Sequence, residues 1–159
     1  MIKKVDMEYG RAFGRSYGGM AWDYEMEDAE LVLVAMGSLA TEATVAADIL
    51  RGQGYKAGVL GLRVYRPFPR EEVRQAAKKA KTIVIFDKNI SYGYEGATCS
   101  DFKAALYGSG IEIPIHNYIA GLGGRDVKAR ELVEAAAKSL QSQSEGKLQR
   151  YAEWLNCQI

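Results

Sequence analysis

Four short apolar runs organise this chain, each followed by a polar or glycine-bearing break and then a helical pattern. The first is 31–36, Leu-Val-Leu-Val-Ala-Met. An unbroken apolar run of that length predicts a strand buried on both faces, as in parallel sheets. After Gly37 and Ser38, the segment 40–50 is rich in alanine and carries Val45, Ile49 and Leu50 at helical spacing, and Gly52 and Gly54 close that helix. The pattern then repeats. A strand over 57–64, whose glycines allow close packing against a helix, runs into Arg66, Pro67, Phe68 and Pro69. Pro69 stands just ahead of a charged helix over 70–80, where proline is favourable. A third strand covers 82–86, and a third helix covers 98–107 with Phe102, Ala105 and Leu106 facing inward. The fourth strand, within 111–119, is interrupted by Pro114, so it begins properly at Ile115 or lies at an edge. A fourth helix over 126–140 follows the turn Gly121, Leu122, Gly123, Gly124.

Strands alternating with helices imply right-handed crossovers and a mainly parallel sheet covered on both faces. The predicted fold is therefore α/β, a three-layer α/β/α sandwich. No boundary interrupts residues 29–141, which read as one domain. Residues 1–28 have scattered glycines and aromatics and no clear period, and read as a lead-in arm. Residues 142–159 form a tail: after the polar stretch 141–146, a short amphipathic helix over 147–155 puts Leu148, Tyr151 and Leu155 on one side. That helix is expected to dock on this domain or on a partner.

Composition narrows the function classes. The 159 residues are 48% hydrophobic and 26% charged, with a formal net charge of +1. That balance gives no electrostatic reason to expect nucleic acid or an anionic membrane surface as partner. No apolar run approaches the roughly 20 residues that span a bilayer. The first residues, with Lys3 and Lys4 but no apolar segment behind them, do not read as a secretory signal. Cys99 and Cys157 match no metal-ligand spacing, and iron–sulfur clusters usually need four thiolates. A zinc site would have to recruit the lone His116 and carboxylates. Reduced thiols in a cytoplasmic protein are the simpler reading.

Candidate chemistry gathers at the predicted carboxyl ends of the strands, where open α/β sheets meet ligands and partners. Gly37 and Ser38 precede a helix N-terminus, which offers amides and partial positive charge to an anion. Neither a dinucleotide fingerprint nor a phosphate loop is present, so Ser38 or Thr41 as a plain helix cap is the simpler expectation. The stretch 120–126, Ala-Gly-Leu-Gly-Gly-Arg-Asp, predicts a tight turn of positive φ with Asp126 capping the next helix. Arg125 there can present a guanidinium to a carboxylate or phosphate. His116 reads as a hydrogen-bonded structural histidine. Cys99, near a helix start, has a setting that lowers a thiol pKa but no recognisable partner. The segment 82–96 is the most telling, because a buried strand gives way abruptly to Asp87, Lys88, Asn89, Ile90, Ser91, Tyr92, Gly93 and Tyr94. Tyrosines among glycines fit partner contact and simple loop packing equally well.

Four segments, in order, resemble one family. Residues 27–38, residues 62–69 (Leu-Arg-Val-Tyr-Arg-Pro-Phe-Pro), residues 87–93 (Asp-Lys-Asn-Ile-Ser-Tyr-Gly) and residues 119–126 are similar to stretches of the pyruvate:ferredoxin oxidoreductase alpha subunit. Phe13 to Gly19 fits as well, so the resemblance covers about residues 9–140. It implies a transketolase C-terminal-like domain, in which an additional edge strand runs antiparallel. Family members convert a 2-oxoacid and coenzyme A to acyl-CoA and CO2 and reduce ferredoxin, using thiamine diphosphate and iron–sulfur clusters. The thiamine pyrophosphate motif, the cluster cysteines and the domain supplying the activating glutamate are not in this sequence. No catalytic, cofactor-binding or metal residue is therefore assigned to this chain, and none of those cofactors is expected to be bound by it.

The resemblance implies a non-catalytic structural or assembly piece of such an enzyme, of the pyruvate type. Its expected partners are the remaining domains or subunits, with ferredoxin as acceptor of the complete enzyme and a homodimer as a further arrangement. A free-standing module binding an anion or coenzyme A is the alternative. In either case the residues expected to touch a partner or ligand are Gly37, Ser38, Asn89, Ile90, Ser91, Tyr92, Tyr94, Arg125 and Asp126.

Overall fold

A computed structural model describes residues 1–155. Twelve elements follow in chain order: helix α1 (Ile2–Phe13), strand β1 (Ala21–Tyr24), β2 (Leu31–Met36), α2 (Ser38–Gly52), β3 (Ala57–Leu62), α3 (Arg70–Lys79), β4 (Thr82–Asp87), α4 (Ala97–Leu106), β5 (Ile115–Ile119), a 3-10 turn (Leu122–Gly124), α5 (Ala129–Ser144) and β6 (Glu153–Trp154). The six strands make one sheet in the order β1-β3-β2-β4-β5-β6. The four apolar runs and β6 run parallel, and β1 is the antiparallel edge. The α/β class and the largely parallel sheet stand as the sequence predicts.

Period-2 geometry sends alternate residues of each strand to opposite faces. Leu31, Leu33 and Ala35 of β2, with Val84 and Phe86 of β4, pack under α2 and α5. Val32, Val34, Ile83 and Ile85 pack under α3 and α4. These strands bury both faces, which is why they read as continuous apolar runs. The chain moves from β4 to β5 through α4 on one face. It continues the same way to β6 through α5 on the other. The last crossover therefore has the opposite hand to the one before it, against the expectation of uniform handedness.

Packing corrects four expectations. In α2 the buried face is Ala40, Ala43, Ala46, Ala47 and Leu50, while Val45 and Ile49 are 48% and 40% exposed. Small side chains let this helix lie close to both the sheet and α5. The glycines of β3 make room for other groups than a helix: a Cβ on Gly61 would stand 2.1 Å from the indole of Trp22 on β1, and one on Gly58 would stand 2.7 Å from the Glu25 carbonyl. The segment 1–28, read as lacking any period, holds α1 and β1, and Gly14 ends α1 in the left-handed conformation at φ 70°. The predicted helix over 147–155 does not form. Instead α5 runs on to Ser144, Gly146 turns the chain at φ 69°, and Glu153 and Trp154 pair with Tyr118 and Ile119. Backbone pairing, the 2.7 Å Lys138–Glu153 ion pair and the packing of Leu155 under α5 win over a helical stripe whose Leu148 and Tyr151 are left in solvent. The last four residues of the expected tail, Cys157 among them, lie outside the described residues.

Candidate functional site

Strand β2 lies between β3 and β4, and the chain leaves it toward β3 before returning to β4. Such a reversal opens a crevice at the carboxyl ends of the strands. The registers Val34↔Ile85 and Asp87↔Ile119 bring Gly37, Lys88 and Ala120 to that same end of the sheet.

The connection from β4 to α4 has a buried root. Asp87 is 1% exposed. Its Oδ1 accepts hydrogen bonds from the amides of Thr98 at 3.0 Å and from Asn89 Nδ2 at 3.3 Å. Its Oδ2 accepts from the Cys99 amide at 3.2 Å and from Asn117 Nδ2 at 3.0 Å. The carboxylate thus serves the first turn of α4, where free amides and the helix dipole favour negative charge. Asn117 Oδ1 in turn accepts from the Gly96 amide at 2.9 Å, and Asn89 Oδ1 from the Ala97 amide at 2.8 Å. Gly96 sits so close that an added Cβ would meet Asp87 Oδ2 at 2.1 Å. Glu95, 7% exposed, pairs with Lys103 and accepts from the Ser100 hydroxyl at 3.1 Å.

The tip of the same connection has almost no burial. The Tyr94 amide donates to the Ser91 carbonyl at 2.9 Å, and Gly93 takes φ 73° between them. Ser91, Tyr92 and Tyr94 project into solvent, with Tyr92 99% and Tyr94 66% exposed, and Ile90 is half-buried. A rigid root therefore presents aromatic area that this domain does not cover.

Of the other expected residues, Gly37 and Ser38 are exposed at the start of α2. Gly37 itself is the cap, at φ 58° and ψ −139°, and no side chain caps the helix, so neither Ser38 nor Thr41 plays that part. The glycine backbone can turn here where a side chain would be strained. Arg125 and Asp126 are exposed and in no ion pair among the described residues. Asp126 caps nothing: α5 begins three residues later, where the Lys128 amide donates to Glu131 at 2.9 Å and the Ala129 amide donates to Glu42 at 2.7 Å. The expected positive-φ turn is present, at Gly121, Gly123 and Gly124.

Three neighbours escaped the sequence reading. Past the end of β3, the Tyr65 hydroxyl donates to Asp101 Oδ2 at 2.5 Å, Arg66 pairs with the same oxygen at 2.8 Å, and the Arg66 guanidinium lies 4.2 Å from the Tyr65 ring centroid. Burial first, and then the Asp101 hydrogen bond, push the Tyr65 hydroxyl up to about 12. Only the Arg-Pro-Phe-Pro stretch itself hinted at a special segment here.

At His116 the outcome differs from the expectation, and at Cys99 burial supports the unreactive thiol that the missing partner implied. His116 is buried, but its Nε2 has no hydrogen-bond partner among the described residues, and burial lowers its pKa. Cys99 is fully buried, and desolvation pushes its thiol up to about 12, with Glu95 adding to the rise against the pull of Lys103. The helix N-terminus does not activate this thiol, because Asp87 already occupies it. No group of three metal-ligating side chains comes together among the described residues.

Known proteins carry the same signature. The chain aligns over 155 residues, 97% of its length, with the ketoisovalerate oxidoreductase subunit VorA of Pyrococcus horikoshii at 42% identity. It aligns over 98% of its length with the pyruvate synthase subunit PorA of Pyrococcus furiosus at 39% identity. It spans only 39% of the length of either. Among solved structures, a split-gene transketolase in an inactive β4 tetramer superposes with a TM-score of 0.62 at 21% identity, over 76% of this chain and 41% of that one. The 2-oxoglutarate:ferredoxin oxidoreductase of Magnetococcus marinus, solved with 2-oxoglutarate, coenzyme A and succinyl-CoA, superposes with a TM-score of 0.58 at 13% identity, over 84% of this chain and 21% of that one. At those identities the two structures show a shared fold, a transketolase-like sandwich with its antiparallel edge strand. Residues 29–132 match pyruvate:ferredoxin oxidoreductase core domain II, and the chain belongs to that family.

Proposed function

We propose that this chain is the core-domain-II portion of a 2-oxoacid:ferredoxin oxidoreductase alpha subunit, and that its task is assembly rather than chemistry. The observation that carries this reading is the connection between β4 and α4. A buried carboxylate and two asparagines fix its root, while Tyr92 and Tyr94 stand in solvent. Pre-ordered tyrosines lose little entropy on docking and bury much area, which suits them to an interface. Arg125 and Asp126, exposed at the same end of the sheet, fit a polar rim. The partners are the remaining domains and subunits of the enzyme, which supply thiamine diphosphate, the clusters and the coenzyme A site and pass electrons to ferredoxin. The substrate reading stays with a 2-oxoacid of the pyruvate type, although the relatives include a ketoisovalerate enzyme.

The test replaces the aligned segment of P. horikoshii VorA with this chain and co-expresses it with the companion subunits. Tyr92→Ala with Tyr94→Ala should weaken assembly at least tenfold and leave the thermal midpoint of the isolated chain unchanged. Assembly indifferent to both tyrosines sinks the proposal.

One observation favours a second reading, a coenzyme A or anion site: the start of α2 has no side-chain cap, and Arg125 is in no ion pair among the described residues. Calorimetry of the chain with coenzyme A decides it. Micromolar binding lost in Arg125→Ala supports the ligand, and silence supports the protein interface.

A further inference from the structure

Helix α1 is twelve residues long and buries none of them. Isolated helices of that length are marginal in water, so most helices hold together by burying an apolar face. Here Ile2, Val5, Tyr9 and Phe13 follow helical spacing, yet Val5 is 54% and Phe13 65% exposed. Beside them opens a cleft of about 550 Å3, lined also by Tyr17 and Val64. The region is pre-ordered without being packed. Asp6 accepts from the Ser16 hydroxyl at 2.5 Å and the Tyr17 amide at 2.9 Å, folding 14–17 back along the helix. The Tyr9 ring lies 4.6 Å from that of Phe13 and 6.0 Å from that of Tyr17. Arg63 lines the cleft, with its guanidinium 5.9 Å from the Tyr17 ring centroid and in no ion pair among the described residues.

We propose that this aromatic cleft is an intrasubunit docking site, covered by a further domain of the same longer polypeptide, whose contact surface is apolar with an acidic rim. The inference rests on the reading that this chain works as part of a longer subunit. Two observations choose this occupant. The P. horikoshii VorA alignment takes in 97% of this chain, so most of α1 has a counterpart in a polypeptide about two and a half times as long. Arg63, in no ion pair among the described residues, matches a carboxylate at the rim, and Tyr and Arg are the side chains enriched at the energetic centres of protein interfaces. The site lies on the β1–β3 side of the sheet, whereas the β4–α4 tip belongs to the β4–β5 side, so the two surfaces are separable.

Hydrogen exchange at residues 3–13 is the measurement, in the isolated chain and in the VorA chimera described above. In the isolated chain these amides should exchange at least ~100-fold faster than those of β2 and β4, since little buried surface holds them. In the chimera their protection should rise by at least ~10-fold, and Val5→Asp with Phe13→Asp should abolish that rise while leaving the midpoint of the isolated chain unchanged. Core-level protection in the isolated chain overturns the proposal. So does a chain dimer broken by the double variant, which makes a second copy the occupant. Binding to phosphatidylserine vesicles lost in the variant makes it a membrane surface. An insoluble chimera leaves the isolated chain to decide by the first criterion. Loss of α1 protection with tyrosine-dependent assembly intact defeats this inference alone, and the reverse defeats only the assembly reading.

Discussion

The β4–α4 connection and the region of helix α1 both hold aromatic side chains out to water, and they are built in opposite ways. The first hangs from buried polar groups: Asp87, Asn117 and Glu95 are each under 10% exposed and are held by backbone and side-chain partners. The second is tied down by surface contacts, chiefly Asp6 to Ser16 and Tyr17 and Lys3 to Glu71 and Glu72. Exposure by itself therefore says little about order. A loop can be fixed by what lies beneath it, and a helix can be left without a core.

That contrast is sharpest at Gly96. Its φ of −63° is open to any residue, so only space forbids a side chain. Gly96→Ala must displace the buried Asp87 carboxylate and should cost at least about 3 kcal/mol in a denaturant titration. A cost below 1 kcal/mol would mean that the root is looser than its hydrogen bonds indicate. Asp87→Ala comes next. It leaves the Thr98 and Cys99 amides and the Asn117 amide without their acceptor. About 2 kcal/mol of destabilisation is expected, with the loss of hydrogen-exchange protection falling on the first turn of α4.

Between the two regions in size stands the pH response of His116. Burial holds its pKa below the ordinary 6.5 in the folded chain. The unfolded chain then binds the proton first as pH falls. The contribution to stability is complete above about 6.5, declines as pH drops below it, and levels off once the folded group also titrates. Denaturant midpoints at pH 7.5 and 5.5 should differ, and His116→Gln should narrow the difference. An unchanged difference would assign the pH response to other groups.

The smallest effect on stability belongs to the tip. Tyr92→Ala with Tyr94→Ala removes side chains that touch little of this domain, so the midpoint should move by less than about 0.5 kcal/mol. Unfolding by this pair would make the tyrosines core and dissolve the distinction between root and tip.

Much of the frame was legible before folding. The runs at 31–36 and 82–86 read as doubly buried strands because each residue of a central parallel strand must face a helix layer. The loop at 88–94 was legible as an exposed strand-end loop because a strand end, glycines and tyrosines coincide there. Asp126 as a cap was not, since local spacing cannot see Glu42 arriving from α2 to hold the Ala129 amide. Nor could spacing alone reject the tail helix at 147–155, whose stripe is real but whose backbone finds a better partner in β5. The alanine face of α2 was misread for a related reason: Val45 and Ile49 are the more apolar residues, but the face that meets the sheet and α5 is made mostly of alanine, with Leu39 and Leu50 at its ends.

The sequence by itself determined the class of fold, the parallel direction of its four runs and the family, because these depend on periodicity and on local signatures that survive in a linear reading. The tertiary structure alone decided that Asp87 and Asn117, thirty residues apart, share one hydrogen bond, that Cys99 is fully buried, and that α1 has no core of its own. Those outcomes depend on which surfaces meet across the sheet and which charges reach a helix end first. Meetings of that kind are set by distance in space and leave no period along the chain.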